Sequence, residues 1–184
     1  MKFRDLKENE IDCRVQSVHK EGKGLVLLLY KDARVDQNIL DETVGAENWQ
    51  REHYECKGNL FCRVGIDTNA LTQNDAPRWV WKSDCGTESF TEAQKGEASD
   101  SFKRACFNWG IGRELYTAPF IWIPASKCNI KPKDKGFTCN DNFIVEKIVI
   151  ENKTIVALSI LNESSKAEKL SERRAFVWQK PKGE

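Results

Sequence analysis

One segment of the chain, Thr91 to Trp109, carries apolar residues at the spacing of a single helix face. At about 100° per residue, five side chains fall on this face: Ala98, Phe102, Ala105, Cys106 and Trp109. Arg104 lies almost opposite to them, and Lys103 lies on the flank. A helix with this pattern has to cover its apolar face, so the rest of the chain must supply a surface for it.

The same segment carries signals for both helix ends. Ser89 or Thr91 can cap the first turn, because a hydroxyl oxygen accepts a hydrogen bond from a free backbone amide. Gly110 or Gly112 can adopt the left-handed conformation that ends a helix. The pattern therefore predicts one long amphipathic helix from Thr91 to Trp109.

Strand patterns precede this helix. Period-two alternation and turn residues predict a hairpin and then a three-stranded meander, in the order Ile11–Val18, Leu25–Tyr30, Trp49–Cys56, Asn59–Ile66 and Arg78–Asp84. Between the two groups, Asp32 and Gly45 are the end signals of a shorter helix, Asp32–Val44. The predicted fold is α+β, with an antiparallel β-hairpin and a three-stranded sheet packed on the long helix.

The chain length of 184 residues suits one domain with its own core. We expect this domain to span residues 1–162, with a second hairpin formed by Phe143–Ile150 and Thr154–Ile160. Residues 163–184 are polar and charged, which predicts a mobile tail, although Ala175–Trp178 can dock on a neighbour. The longest apolar run, Leu25–Tyr30, is too short to cross a bilayer, and the first residues lack the apolar core of a secretion signal, so we expect a cytoplasmic protein.

Composition argues against a metal or redox site. The seven cysteines are odd in number and form no Cys-x-x-Cys pair. Cys56 and Cys62 flank a predicted tight turn at Lys57–Gly58, where a cross-strand disulfide is conceivable, but a reducing cytosol favours free thiols. The two histidines lack ligand spacing, no glycine-rich loop fits a nucleotide site, and no carboxylates cluster as in metal-dependent nucleases. We therefore expect no metal, no cofactor and no catalytic site.

The net charge is only +1 at pH 7, which bears on nucleic-acid binding. Affinity for a phosphate backbone comes from neutralised charge and released counterions. A chain this close to neutrality must gather its cations on one surface in order to bind DNA.

The residues around the Lys103–Arg104 pair are similar to a known family signature. The helix carries KGEASDSFKRA at positions 95–105, and WGIGRELY follows at positions 109–116. These runs resemble the signature helix of the Rad52-type single-strand annealing proteins, especially their phage Sak and bacterial DdrA groups. The resemblance implies single-stranded DNA binding along a basic groove, ATP-independent annealing of complementary strands in recombination and repair, and an oligomeric ring. It also implies a nucleoid-associated role in a bacterial or phage-infected cell, with a single-strand-binding protein as a candidate partner.

The resemblance also implies DNA-binding residues. In the family, the Lys-Arg pair of this helix holds the DNA backbone, and it matches Lys103 and Arg104. The further candidates are, in order, Arg14, Arg34, Lys95 and Arg63. Phe107 stands where a further basic residue is usual in eukaryotic members, so one expected phosphate contact is missing at that position.

Three other interpretations stay open. From the residues alone, Lys103 and Arg104 fit a surface helix with a solvated pair of cations. A DdrA-like module protects single-stranded ends without efficient annealing. A structural domain of the same fold uses the helix to assemble with a protein partner, and the absence of salt-sensitive DNA affinity distinguishes it from an annealing or an end-protecting protein.

Several aromatic residues are candidates for stacking bases, namely Trp79, Trp81, Phe61 and Tyr116. Trp79 and Trp81 share one strand face, however, and most such tryptophans fill cores. An annealing protein also has to leave base edges free for pairing, which favours Lys and Arg contacts to phosphates. We therefore expect these aromatic residues to be structural.

Overall fold

The computed structural model of the protein describes residues 1–70, 72, 76–87 and 93–181. The strands, in chain order, are β1 (Asp12–Val18), β2 (Gly24–Tyr30), β3 (Trp49–Cys56), β4 (Asn59–Asp67), β5 (Trp79–Cys85), β6 (Ile121–Pro124), β7 (Ile130–Lys133), β8 (Gly136–Cys139), β9 (Phe143–Glu151), β10 (Thr154–Asn162) and β11 (Arg174–Gln179). The helices are α1 (Ala33–Val44), α2 (Ala93–Trp109) and α3 (Leu170–Arg173). The strand pairs are antiparallel, which confirms the predicted α+β class.

The chain forms two compact units. The first contains Met1–Arg4 and Asp32–Arg113, and the second contains Asp5–Lys31 and Glu114–Glu184. The predicted hairpin therefore lies in a different unit from the three-stranded sheet, although the sequence predicted that both pack on one helix. The reason is that β2 is apolar along its whole length and obtains neighbours on both edges within the second unit, with β1 on one side and β6 on the other.

In the first unit, α2 covers one face of the sheet β3–β4–β5. The predicted alternation of β4 is confirmed, because Cys62, Val64 and Ile66 are fully buried. Phe102, Ala105 and Cys106 of α2 are fully buried as well. The core of this unit is formed where these two apolar surfaces meet.

The ends of the first unit's helices follow the predicted signals where the structure describes them. The carboxylate of Asp32 accepts the Arg34 amide at 2.8 Å, and Gly45 follows α1. Gly110 follows α2 with φ of 102°, a conformation in which any side chain would strain the backbone. The predicted caps Ser89 and Thr91 lie outside the described residues.

The second unit is built on a six-stranded sheet in the order β11-β10-β9-β1-β2-β6, with the short hairpin β7–β8 beside it. The predicted second hairpin is confirmed as β9 and β10. Fully buried side chains from three of the strands, β2, β6 and β10, form its core: Leu25, Ile121, Ile123, Ile155, Leu158 and Ile160. The apolar residues of β2, β6 and β10 therefore meet in one interior.

The predicted mobile tail contains regular structure. Strand β11 pairs with β10 from Ala157↔Gln179 to Leu161↔Arg174, and Ala175 is buried. The polar composition of the segment does not indicate this strand, because an edge strand needs apolar residues on only one face. The pairing of β11 with β10 agrees with the expectation that Ala175–Trp178 docks on a neighbour, so Arg174–Gln179 is a strand of the second unit.

In the described part of the chain, no helix has the length and apolar character needed to span a membrane.

Candidate nucleic-acid interface

The predicted pair, Lys103 and Arg104, lies on the solvent side of α2. Both side chains are half-buried, while their sequence neighbours Phe102 and Ala105 are fully buried. The ammonium group of Lys103 forms no hydrogen bond or ion pair with the residues that the structure describes. The helix therefore presents two adjacent cations away from the core.

Arg104 is held by a carboxylate of the neighbouring strand. Its Nε lies 3.3 Å from Oδ1 of Asp84 on β5, and the two side chains are 43% and 24% exposed. The second oxygen of Asp84 accepts the Asn108 side-chain amide at 3.5 Å. Because the ion pair is partly solvated, its net contribution to stability is small, and a phosphate can replace the carboxylate at little cost.

The last turn of α2 gathers two more cations around one carbonyl oxygen. The backbone oxygen of Asn108 accepts two hydrogen bonds, one from Nζ of Lys82 at 2.9 Å and one from Nη2 of Arg113 at 3.0 Å. Nε of Arg113 also donates to the Phe107 oxygen at 2.9 Å. The last carbonyls of a helix lack intrahelical partners and carry partial negative charge, so cations stabilise this end. We call Lys82, Arg104 and Arg113 the helix cation cluster.

Sequence reasoning missed Lys82 and Arg113 as members of this site. A signal for Arg113 exists, because it follows the glycine that ends the helix, where basic residues bind free carbonyls. Its guanidinium also lies 5.5 Å from the centre of the Phe107 ring, so a cation lies beside the position where a basic residue is expected from the eukaryotic pattern. No local signal marks Lys82, since the pattern of β5 alone does not indicate which face the helix covers.

The other predicted site residues are dispersed. Lys95 is exposed in the first turns of α2, about 12 Å along the axis from Lys103. Arg34 is 88% exposed at the start of α1, 4.0 Å from Asp32. These two cations belong to the first unit but not to the helix cation cluster.

Arg63 and Arg14 are placed differently again. Arg63 lies on the sheet face opposite to α2, where its Nε and Nη2 donate hydrogen bonds to Oε2 of Glu52 at 3.0 and 2.6 Å. Arg14 belongs to the second unit, where it is exposed on β1 and stacks 5.7 Å from the Tyr30 ring. Their roles in DNA binding remain predictions.

The expected burial of the strand tryptophans is wrong. Trp79 and Trp81 are 37% and 36% exposed, because α2 covers only the other face of their sheet. Tyr116 of the second unit is 70% exposed. The aromatic candidates for base stacking are therefore accessible.

The cysteines form no disulfide in the part of the chain that the structure describes. Burial raises the pKa of Cys62 to about 11 beneath α2, whereas Cys56 is exposed. Among the described residues, no group of His, Cys, Asp or Glu side chains is arranged to hold a metal ion. The exposed groups of the first unit that suit a nucleic acid are its cations and aromatic rings.

Comparison with known proteins agrees with the signature of α2. The sequence model of one family, described as Rad52/22 family double-strand break repair protein, matches residues 4–134. Searches of the curated proteins and of the solved structures gave no significant match. The matched span is longer than half of the 184-residue chain and contains the whole of α2. The chain therefore belongs to the Rad52/22 family of double-strand break repair proteins.

Proposed function

We propose that this protein binds single-stranded DNA through the phosphates and anneals complementary strands without ATP, in the branch of the phage Sak and bacterial DdrA proteins. Membership of the Rad52/22 family supports DNA binding, repair and single-strand annealing as the general function. The observation that carries the specific proposal is the position of Lys103 and Arg104, which are adjacent, partly exposed and inside the matched span.

Cations are suited to this task because phosphate contacts carry no sequence information. A strand held by its phosphates keeps its base edges free, so a complementary strand can pair with it. Base pairing itself supplies the free energy of annealing, and nucleotide hydrolysis is therefore unnecessary.

The helix cation cluster adds to the charge of the pair. Lys82 and Arg113 donate to a neutral carbonyl oxygen, so their hydrogen bonds leave their positive charges uncompensated. Arg104 exchanges Asp84 for a phosphate when DNA binds. One protomer offers few such contacts, and an oligomeric ring, which is part of this proposal, repeats them along one strand.

The test is a fluorescence assay of annealing and binding with two complementary oligonucleotides, without ATP and across a salt series. The site variant is Lys103→Ala with Arg104→Ala. Its matched control is Lys166→Ala with Lys169→Ala, which removes the same charge from exposed positions of the second unit.

We expect the wild type and the control to accelerate annealing with an effect that fades as salt rises. The site variant should bind all sequences more weakly, and the slope of log affinity against log salt should fall by about 0.7 for each lost phosphate contact. A folded site variant that binds and anneals like the control contradicts the proposed site. Tight binding by the wild type without acceleration indicates end protection instead, and no salt-sensitive binding indicates a protein-interaction domain.

A further inference from the structure

The face of the β3–β4–β5 sheet that α2 leaves open is rich in aromatic rings. Directly opposed residues of antiparallel strands share a face, and the register opposes Tyr54 to Phe61 and Trp81 to Gly65. We call the side chains on this side the aromatic face: Tyr54, Phe61, Arg63, Trp79 and Trp81. Tyr54, Trp79 and Trp81 are each more than a third exposed.

The rings of the aromatic face are ordered in two pairs. Trp79 and Trp81 have ring centres 6.2 Å apart with planes 29° apart, and Tyr54 and Phe61 have centres 5.5 Å apart with planes 22° apart. Rings held this close to parallel give the face two flat aromatic patches rather than isolated hydrophobic side chains. Such a surface matches flat aromatic ligands.

Trp81 lies flat on the sheet because its cross-strand neighbour has no side chain. A Cβ on Gly65 would lie 2.8 Å from three atoms of the indole, so one side of the ring rests on the backbone at this position. The guanidinium of Arg63 lies 4.7 Å from the centre of the same ring. Gly65 thus lets a large ring lie where a side chain would otherwise separate it from the sheet.

The charges of the aromatic face suit a ligand that carries negative groups at intervals along a chain, as a nucleic acid does. Glu52 neutralises Arg63 in the middle of the face. One exposed cation stands at each end, with Lys57 in the turn after β3 and Arg78 directly before Trp79. The side chains of Lys57 and Arg78 form no hydrogen bond or ion pair within the described part of the chain.

We propose that the aromatic face is a second contact surface for single-stranded DNA, which stacks its unpaired bases while Lys57 and Arg78 contact flanking phosphates. The inference rests on the proposed function in that the ligand is single-stranded DNA. It differs in chemistry, because aromatic stacking holds bases of any sequence, whereas the helix holds phosphates. Bases stacked on this face are unavailable for pairing, so it holds a part of the strand that is not being annealed.

The chemistry predicts a measurable difference between the two surfaces. Phosphate contacts weaken as salt rises because they depend on counterion release. Stacking of bases on aromatic rings neutralises no phosphate and releases no counterion, so it depends little on salt. Binding that persists at high salt should therefore require bases and the aromatic face.

The test compares an oligo-dT strand with an abasic deoxyribose-phosphate strand of the same length, by fluorescence anisotropy at low and high salt. The variant is Trp79→Ala with Trp81→Ala in the full chain. The matched control is Phe120→Ala, which removes an aromatic ring that is 74% exposed in the second unit. Circular dichroism establishes that each variant is folded, and sedimentation velocity gives its oligomeric state.

We expect wild type at high salt to keep binding oligo-dT and to lose the abasic strand. The tryptophan variant should bind oligo-dT about tenfold more weakly or worse, since stacking one base contributes about 1–3 kcal/mol, and should bind the abasic strand like the wild type. The aromatic control should bind both strands like the wild type.

Two outcomes overturn the inference. Equal loss of both strands by the wild type at high salt shows that bases contribute nothing, and this comparison needs no variant. The tryptophan variant can also form a smaller oligomer than the wild type and bind oligo-dT and the abasic strand equally weakly. This result would show that the aromatic face joins copies of this chain. Failure of the proposed phosphate site is a separate result, because Lys103→Ala with Arg104→Ala would then keep binding the abasic strand at low salt.

Discussion

The two faces of the β3–β4–β5 sheet differ in what covers them, because α2 packs on one face and the other face is exposed to solvent. Alternate residues of the same three strands point to each face, so one residue step separates a surface closed by α2 from one open to solvent. On the closed face, the charged side chains at its edge, Lys82 and Asp84, contact α2. On the open face, aromatic rings are exposed and Arg63 pairs with Glu52.

The difference shows how the partner of a cation decides what the cation can do. A carbonyl oxygen is neutral, so Lys82 keeps its charge while its position is fixed. A carboxylate cancels the charge, and the two hydrogen bonds that Arg63 donates to Oε2 of Glu52 leave its guanidinium as a flat group stacked on Trp81. On the two proposals made above, the same residue types therefore serve phosphate contact on one side of the sheet and stacking on the other.

The largest expected effect comes from opening the closed face. Phe102→Ala removes a fully buried ring that stacks 6.1 Å from Trp49 and lies under the guanidinium of Arg51 at 4.8 Å. We expect the free energy of unfolding to fall by about 3–5 kcal/mol, because the lost burial is joined by an unfilled cavity. Chemical denaturation measures this change. Phe120→Ala, at a position 74% exposed, is the control and should change stability by less than about 0.5 kcal/mol. Equal small effects of the two substitutions would show that α2 does not close this face.

A smaller effect is expected from disturbing the open face. Gly65→Ala places a Cβ 2.8 Å from the Trp81 ring, which must move away from the sheet. We expect a loss of about 1–3 kcal/mol in the free energy of unfolding, typical of overpacking, and a shift in tryptophan fluorescence. In a Trp81→Ala background the same substitution should cost much less, since the clash is absent. A cost that is independent of residue 81 would mean that the ring does not rest on Gly65.

The ion pairs of the two faces predict a difference in DNA affinity of a few fold. Asp84→Asn removes the carboxylate that competes with phosphate for Arg104, so binding of single-stranded DNA at low salt should tighten about two- to fivefold. Glu52→Gln makes the same chemical change beside Arg63 and is the matched control. Its effect should be weaker, because contacts to bases dominate on that face. Fluorescence anisotropy across a salt series compares them, and a larger gain from Glu52→Gln would reverse our assignment of the two faces.

The sequence predicted the pattern along each element better than the choice of neighbour. Helical spacing located α2, and the Gly110 signal gave its end at Trp109, because both depend on residues close in the chain. Alternation showed that Trp79 and Trp81 share a face. It did not show that this face is open, since a period of two does not indicate which side a distant helix covers. Lys82 was missed for the same reason.

Pairings between distant segments were also beyond local patterns. The contact of β1 with β9, at Asp12↔Ile144, joins residues more than a hundred positions apart and places the first hairpin in the second unit. The sequence did not predict Arg174–Gln179 as a strand, because the segment that contains it is polar and charged. Its pairing with β10 is what orders it. Such long-range contacts are specified by the whole fold, so a single segment carries little information about them.

The smallest expected effect comes from comparing two thiols of the β3–β4 hairpin, Cys62 within β4 and Cys56 at the end of β3. Burial beneath α2 raises the pKa of Cys62 to about 11, whereas Cys56 at the end of β3 is exposed. A thiol whose pKa is raised in the folded protein keeps its proton where the unfolded chain has already lost it. Its contribution to stability is therefore complete below an unfolded pKa of about 8.5 and is lost as the pH rises through the folded pKa near 11.

Cys62→Ala should accordingly flatten the fall in the free energy of unfolding between about pH 9 and the folded pKa of about 11, relative to the wild type. Cys56→Ala, the matched control, should leave that slope unchanged. Urea denaturation at a series of pH values compares the slopes, and alkylation of the folded protein adds an independent readout. Iodoacetamide should modify Cys56 rapidly and Cys62 only after unfolding, because the thiolate is the reactive form and the buried group holds its proton. Rapid alkylation of Cys62 in the folded protein would mean that α2 opens often, and the contrast between a closed face and an open one would then be a difference of degree.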